Sequence, residues 1–147
     1  MMKPLWIAAV VTLAVSAACR VDVGGPPHIE VDRTACANCG MLISEPLFAA
    51  GYRTSGGEER VFDDIGCLLA SAQRESNREA IRFWFHDAST GKWIDGQATT
   101  FVRVDRRRTP MSGGVVAYGQ VAEAQRAALE QRGQVIRNLS DLLGGGL

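Results

Sequence analysis

The apolar residues of this chain change period twice, in the same order each time, and that pattern limits the fold more than any other feature. Residues 47–54 look like a strand, Ser55-Gly56-Gly57 supplies a hairpin turn, and 59–62 reads as the return strand. From Asp63 or Asp64, either a suitable N-cap, Ile65, Leu68, Leu69 and Ala72 then fall at i, i+3, i+4 and i+7, the stripe of an amphipathic helix. Residues 81–86 return to alternation. The order recurs downstream: 98–104 and 115–118 are strand-like around a turn at 111–114, Val121, Ala124 and Ala128 stripe a helix, Gly133 ends it, and 134–137 is extended. Ala72-Gln73-Arg74 and Ala124-Gln125-Arg126 occupy parallel places. The expected class is α+β, with two small ββαβ lobes (34–90 and 91–147) related as a pseudo-repeat. A lobe of about fifty residues seldom has enough core to stand alone, so the two are expected to pack together.

The first residues are expected to direct export. Lys3 precedes an apolar run of about a dozen residues ending in Ser16-Ala17-Ala18, too short for a spanning helix of ~20 residues and typical of a signal peptide over 1–18. Cys19 directly follows the small residues, which marks it as the candidate lipidation site and points to a lipid-anchored chain facing the periplasm or on the outer face of the cell membrane. Ser16 stands where a lipobox usually carries a bulky aliphatic residue. Residues 19–33, with Gly24-Gly25-Pro26-Pro27, lack apolar periodicity and read as a flexible tether.

Lys plus Arg and Asp plus Glu both number 16, so no global field recruits nucleic acid. Arg106-Arg107-Arg108 reads as a solvated turn, and no nucleic-acid partner is expected. No nucleophile–base set, phosphate loop or paired-carboxylate signature appears, so the chain is not expected to be an enzyme.

The chemistry concentrates in Cys36-Ala37-Asn38-Cys39-Gly40-Met41. Cu(I) is soft and prefers thiolate and thioether sulfur, which this segment supplies within six residues. Gly40 lets the backbone turn tightly enough to aim them at one point. A structural disulfide or redox pair remains open, since an exported chain meets an oxidising compartment, but it leaves Met41 unexplained. Zinc also remains open, although it needs four ligands and gains nothing from Met41. Met111, in a glycine-containing loop at Pro110-Met111-Ser112-Gly113-Gly114, is a further sulfur candidate. Cys67 lies on the helix side opposite the Ile65 and Leu69 stripe, which leaves open a place facing the other lobe or a third metal position, and reads first as an inert thiol. His28 and His86 read as solvated or satisfied side chains, and Asp63-Asp64 as helix capping.

With these residues in view, the chain resembles the NosL lipoproteins, accessory proteins of nitrous oxide reductase maturation. The likeness rests on Cys36-Ala37-Asn38-Cys39-Gly40-Met41-Leu42-Ile43-Ser44, Phe48-Ala49-Ala50, Phe62-Asp63-Asp64-Ile65, Thr90-Gly91-Lys92-Trp93-Ile94-Asp95, and Pro110-Met111 before Ala117-Tyr118. It implies two ββαβ lobes and a Cu(I) chaperone serving the copper-sulfur centre of nitrous oxide reductase through a membrane ABC-type assembly complex. It also implies Cys39 and Met41 as ligands, with Cys36 beside them and Met111 contributed by the second lobe. Ser112 departs from the family pattern, in which glycine follows Pro-Met. A general copper-buffering lipoprotein and a periplasmic thiol-disulfide oxidoreductase using Cys36 and Cys39 are the competing functions.

Overall fold

The computed structural model describes residues 24–145, so the expected signal peptide and Cys19 lie outside the described residues. The described residues form two antiparallel sheets and three α-helices. Strands β1 (Ala50–Arg53), β2 (Glu59–Phe62), β3 (Arg82–His86) and β4 (Trp93–Asp95) make a four-stranded sheet in the order β2-β1-β3-β4. Strands β5 (Thr100–Arg103), β6 (Val115–Tyr118) and β7 (Gln134–Ile136) make a three-stranded sheet in the order β6-β5-β7. Helix α1 (Ile65–Ala72) follows β2, α2 (Val121–Gln131) follows β6, and α3 (Leu139–Gly144) closes the fold.

The helix starts follow from local chemistry. Asp64 caps α1, its carboxylate accepting from the Gly66 N–H at 2.6 Å, and Asn138 caps α3 by accepting from Asp141 N–H at 2.8 Å. Helix α2 ends on Arg132, which takes the left-handed φ of 52° usually given to glycine. Gly133 then sits against β5, where a Cβ would come within 2.6 Å of the Arg103 carbonyl oxygen.

Alternation along the second sheet explains how the halves join. Val102, Val116 and Tyr118 face Ala124, Ala127 and Ala128 of α2, while Phe101, Val115 and Ala117 point the other way into the main core. There they meet Tyr52, Phe62, Phe83 and Phe85 of the first sheet and Leu68 of α1. Phe85 and Phe101 touch edge to face with centroids 4.9 Å apart. The second sheet is therefore buried on both faces, one against α2 and the other in a main core shared with the first sheet.

Three features depart from the expected layout. Strand β4, past the expected lobe boundary at residue 90, pairs with β3 through Trp84–Asp95 and His86–Trp93 and so belongs to the first sheet. Helix α3 extends the second half, placing Leu139 and Leu142 in the main core. Within the expected tether, Pro27 is fully buried against Gly51, where a Cβ would meet its Cγ at 2.4 Å, and Asp32 N–H donates to Ile43 O at 2.9 Å. Packing begins at Pro27 because a rigid apolar ring there fills the space that Gly51 leaves open on β1.

Candidate metal centre

The sulfur segment is a closed loop fastened to the end of the first sheet. Ala35 and Leu42 form a bridge, Cys36 N–H donates to Met41 O at 2.8 Å, and Gly40 N–H donates back to Cys36 O at 2.9 Å. Gly40 has φ 77°, the left-handed conformation that lets the loop return within six residues. Ala37 N–H donates to Val61 O at 2.9 Å, which docks the loop on the end of β2. Asp63, Asp64 and the first turn of α1 follow directly, so the loop and the helix start face one another. Asn38 Oδ1 accepts from Arg74 Nη2 at 2.6 Å and ties the loop to the chain just beyond α1.

This arrangement gathers four donors. The sulfurs of Cys36, Cys39 and Cys67 and a carboxylate oxygen of Asp63 all lie within 4.8 Å of one another. All three cysteines are free thiols. Cys39 Sγ stands 3.9 Å from both Asp63 oxygens. Cys36, at 2% exposure, and Cys67, at 7%, form the floor, whereas Cys39 opens to solvent. Burial is the main force raising the Cys36 thiol pKa, with backbone hydrogen bonds opposing it. Burial also drives the Cys67 pKa far up, reinforced by the nearby Cys36, Asp63 and Cys39 charges. Both thiols are therefore held protonated until a cation repays the cost of charging them.

Cys67 stands in the donor cluster, the third metal position, and is not the inert thiol that its place on the helix suggested. The side of α1 opposite the Ile65 stripe faces the sulfur loop rather than solvent, so the third helical position points at Cys36 and Cys39. Asp63 was also missed, because Asp64 alone does the capping. A usable signal existed in Cys67 at i+3 from Asp64, on the first turn of a helix that starts where the loop docks. The histidines are elsewhere: His86 is buried, donates Nδ1–H to Ala49 O at 3.1 Å and stacks on Trp93 with centroids 3.8 Å apart, and His28 pairs with Glu30.

The methionines take different positions. Met41 is 57% exposed on the loop beside Leu42, also exposed. Met111 is half-buried against the main core, and its loop is clamped to the start of α1. Both Met111 N–H and Gly113 N–H donate to Asp64 Oδ2, at 3.1 and 3.2 Å. A Cβ on Gly113 would lie 2.0 Å from Asp64 Oδ1, so only glycine permits the approach. Ser112 has φ 59°, which accounts physically for a glycine preference at that place.

Comparison with known proteins places this architecture. The family model NosL matches residues 28–141. The crystal structure of the copper chaperone NosL from Shewanella denitrificans superposes with a TM-score of 0.65 at 16% identity, covering 77% of this chain and 92% of that one. No curated protein matches the chain. Over the span that contains both sheets and the whole donor cluster, this chain belongs to the NosL family.

Proposed function

We propose that the protein is a Cu(I) carrier, not an enzyme, that delivers copper to nitrous oxide reductase for its copper-sulfur centre, working with a membrane ABC-type assembly complex. The observation that carries this reading is the convergence of three free thiols on one point, with two buried and one open. A soft monovalent ion suits thiolate donors, and the donor set therefore fits Cu(I) as cargo. Cys36 and Cys67 would hold the ion from below and Cys39 would pass it outward. Met41, exposed beside Cys39 on the same loop, and Met111, positioned through Asp64, are assigned as thioether donors that receive or release it. An open rim lets a partner's ligand enter before Cys39 leaves, so exchange needs no free ion. The exposed Met41 and Leu42 give that partner an apolar surface to touch.

In the same reading, residues 1–18 are a signal peptide, Cys19 carries a lipid anchor, and the protein faces the periplasm or the outer side of the cell membrane. We also read β1-β2-α1-β3 and β5-β6-α2-β7 as a pseudo-repeat of ββαβ lobes, supported by their common strand order of second, first, third. The function is tested in cells that make the reductase. Without this chain, or with Cys39→Ser in its place, the reductase is expected to be isolated lacking its copper-sulfur centre. A fully loaded reductase in both strains contradicts delivery and leaves a copper-buffering role.

A further inference from the structure

The arginine run that reads as a solvated turn in the sequence does not stand alone in the fold. Residues 106–108 form a single tight turn, with Arg108 N–H donating to Asp105 O at 3.0 Å and Thr109 N–H to Arg106 O at 3.3 Å. Two glycines let neighbouring segments close on it. Gly114, at φ 67°, lies where a Cβ would come within 3.2 Å of Arg106 Cα, and Gly133 lets the end of α2, with Arg132, approach β5. The result is an open groove of about 770 Å³ lined by Arg103, Arg106, Arg108 and Arg132, with Asp105 the one acid among its described lining residues. Asp105 is already engaged by Arg107, whose Nη2 lies 3.2 Å from Oδ2. Among the described residues no carboxylate stands within ion-pair distance of Arg106, Arg108 or Arg132. The chain balances 16 basic against 16 acidic residues, so this excess is local and not a share of an overall positive charge. Like charges held this close repel, and arriving anions relieve the repulsion.

Two observations indicate what arrives. The groove and the copper rim share one connection, residues 104–114 between β5 and β6, which begins with the arginine turn and ends with the Met111 loop. Thr109 ties its two parts together, its carbonyl accepting from Ser112 N–H at 3.0 Å and its hydroxyl from Gly114 N–H at 2.9 Å. The Met111 end is clamped to Asp64, next in sequence to the Asp63 of the donor cluster. The second observation is that the chain enters the fold on the other side. Pro27 packs on Gly51, on the face of the first sheet turned away from the core, whereas the groove lies at the end of α2, which covers the far face of the second sheet. A membrane reached through the residues before Pro27 therefore lies across the molecule from the arginines.

We propose that this groove docks an acidic, Asp- and Glu-rich face of the protein that receives the copper, holding that partner by charge while its ligand reaches the rim at Cys39 and Met41. The guanidinium fork suits carboxylates, which it holds through two parallel hydrogen bonds. The proposal rests on the copper-delivery reading for the existence of a receiving partner, and it gives no arginine a part in holding the metal. Exposed charges act mainly on the rate of encounter, so docking is fast at low salt and screened at high salt.

The probes are the purified membrane assembly complex and the copper-free reductase, each presented to the metal-free protein so that docking is read without transfer. At least one should associate at a rate that falls about 10-fold or more between roughly 20 and 200 mM salt. Arg106→Glu combined with Arg132→Glu should slow that association by about 10-fold or more at low salt, and lysine at both positions should retain most of it. Both side chains are exposed, so the urea midpoint and the Cu(I) stoichiometry of the glutamate variant should match wild type. Association with neither probe, or a rate indifferent to both salt and charge reversal, overturns the proposal. Arginine-dependent binding to phosphatidylglycerol-containing vesicles, with protein association unaffected, also overturns it and assigns the groove to a membrane surface. Arginine-dependent docking without any passage of Cu(I) to the docked protein instead overturns the delivery reading and leaves the docking face in place.

Discussion

Replacing Asp64 with alanine should cost more stability than any other single carboxylate change in the chain. One buried side chain accepts three backbone N–H groups, from Gly66 at 2.6 Å, Met111 at 3.1 Å and Gly113 at 3.2 Å. The first is a helix cap, worth about 1 kcal/mol. The other two join the start of α1 to the Met111 loop and are charge-assisted, worth about 1.5 to 3 kcal/mol each when lost in a buried setting. Because the three share one acceptor, their losses do not add fully, and about 4 kcal/mol is the expected total. That is a large part of the ~5 to 15 kcal/mol that keeps a domain folded. Urea unfolding of Asp64→Ala should show a lower midpoint with an unchanged slope. Asn138→Ala is the internal control: it removes an exposed cap of α3 and should cost only about 1 kcal/mol. Equal losses in the two variants would refute the argument that Asp64 joins the two sheets as well as capping a helix.

Ser112→Gly should stabilise the protein by about 0.5 to 1 kcal/mol, seen as a raised urea midpoint, because it relieves a left-handed φ of 59° in the Met111 loop. Cys39→Ser should abolish Cu(I) binding in an anaerobic competition titration while leaving the near-ultraviolet circular dichroism unchanged, since Cys39 is exposed and is not among the buried core residues. His86 should give the fold a pH dependence. Burial lowers its pKa below the ordinary 6.5, so the folded state resists protonation, stability is complete above about pH 6.5 and falls as pH drops toward the folded value. His86→Gln should flatten that part of a stability-against-pH curve measured by urea unfolding.

The elements that were legible in the sequence are those whose burial pattern repeats. β2, α1, β3, β5, β6, α2 and β7 follow from strand-like runs and period-3.6 stripes of apolar residues in the sequence, and Asp64 announces the start of α1. β4 was not legible: at three residues it has no alternation to read, and only its pairing with β3 makes it a strand. α3 carried a signal in Asn138 with Asp141 and in Leu139, Leu142 and Leu143, but its single turn and a half is too short to stand out. At the site, Cys36 and Cys39 are close in sequence and were found as a pair. Cys67 and Asp63 enter only because the 36–41 loop docks on β2 through Val61 O, a contact that no local pattern encodes. Likewise the Gly113 approach to Asp64 joins residues 49 apart and becomes visible only in three dimensions.

The central claim is that sulfur from the Cys36, Cys39 and Cys67 cluster holds Cu(I). The direct measurement is anaerobic Cu(I) titration of the reduced protein, read for stoichiometry and by copper-edge X-ray absorption. One Cu(I) per chain in an all-sulfur shell, with the sulfur count falling when Cys67 is changed to serine, is the predicted result. A shell without sulfur, or binding that survives the combined loss of Cys36, Cys39 and Cys67, would contradict it.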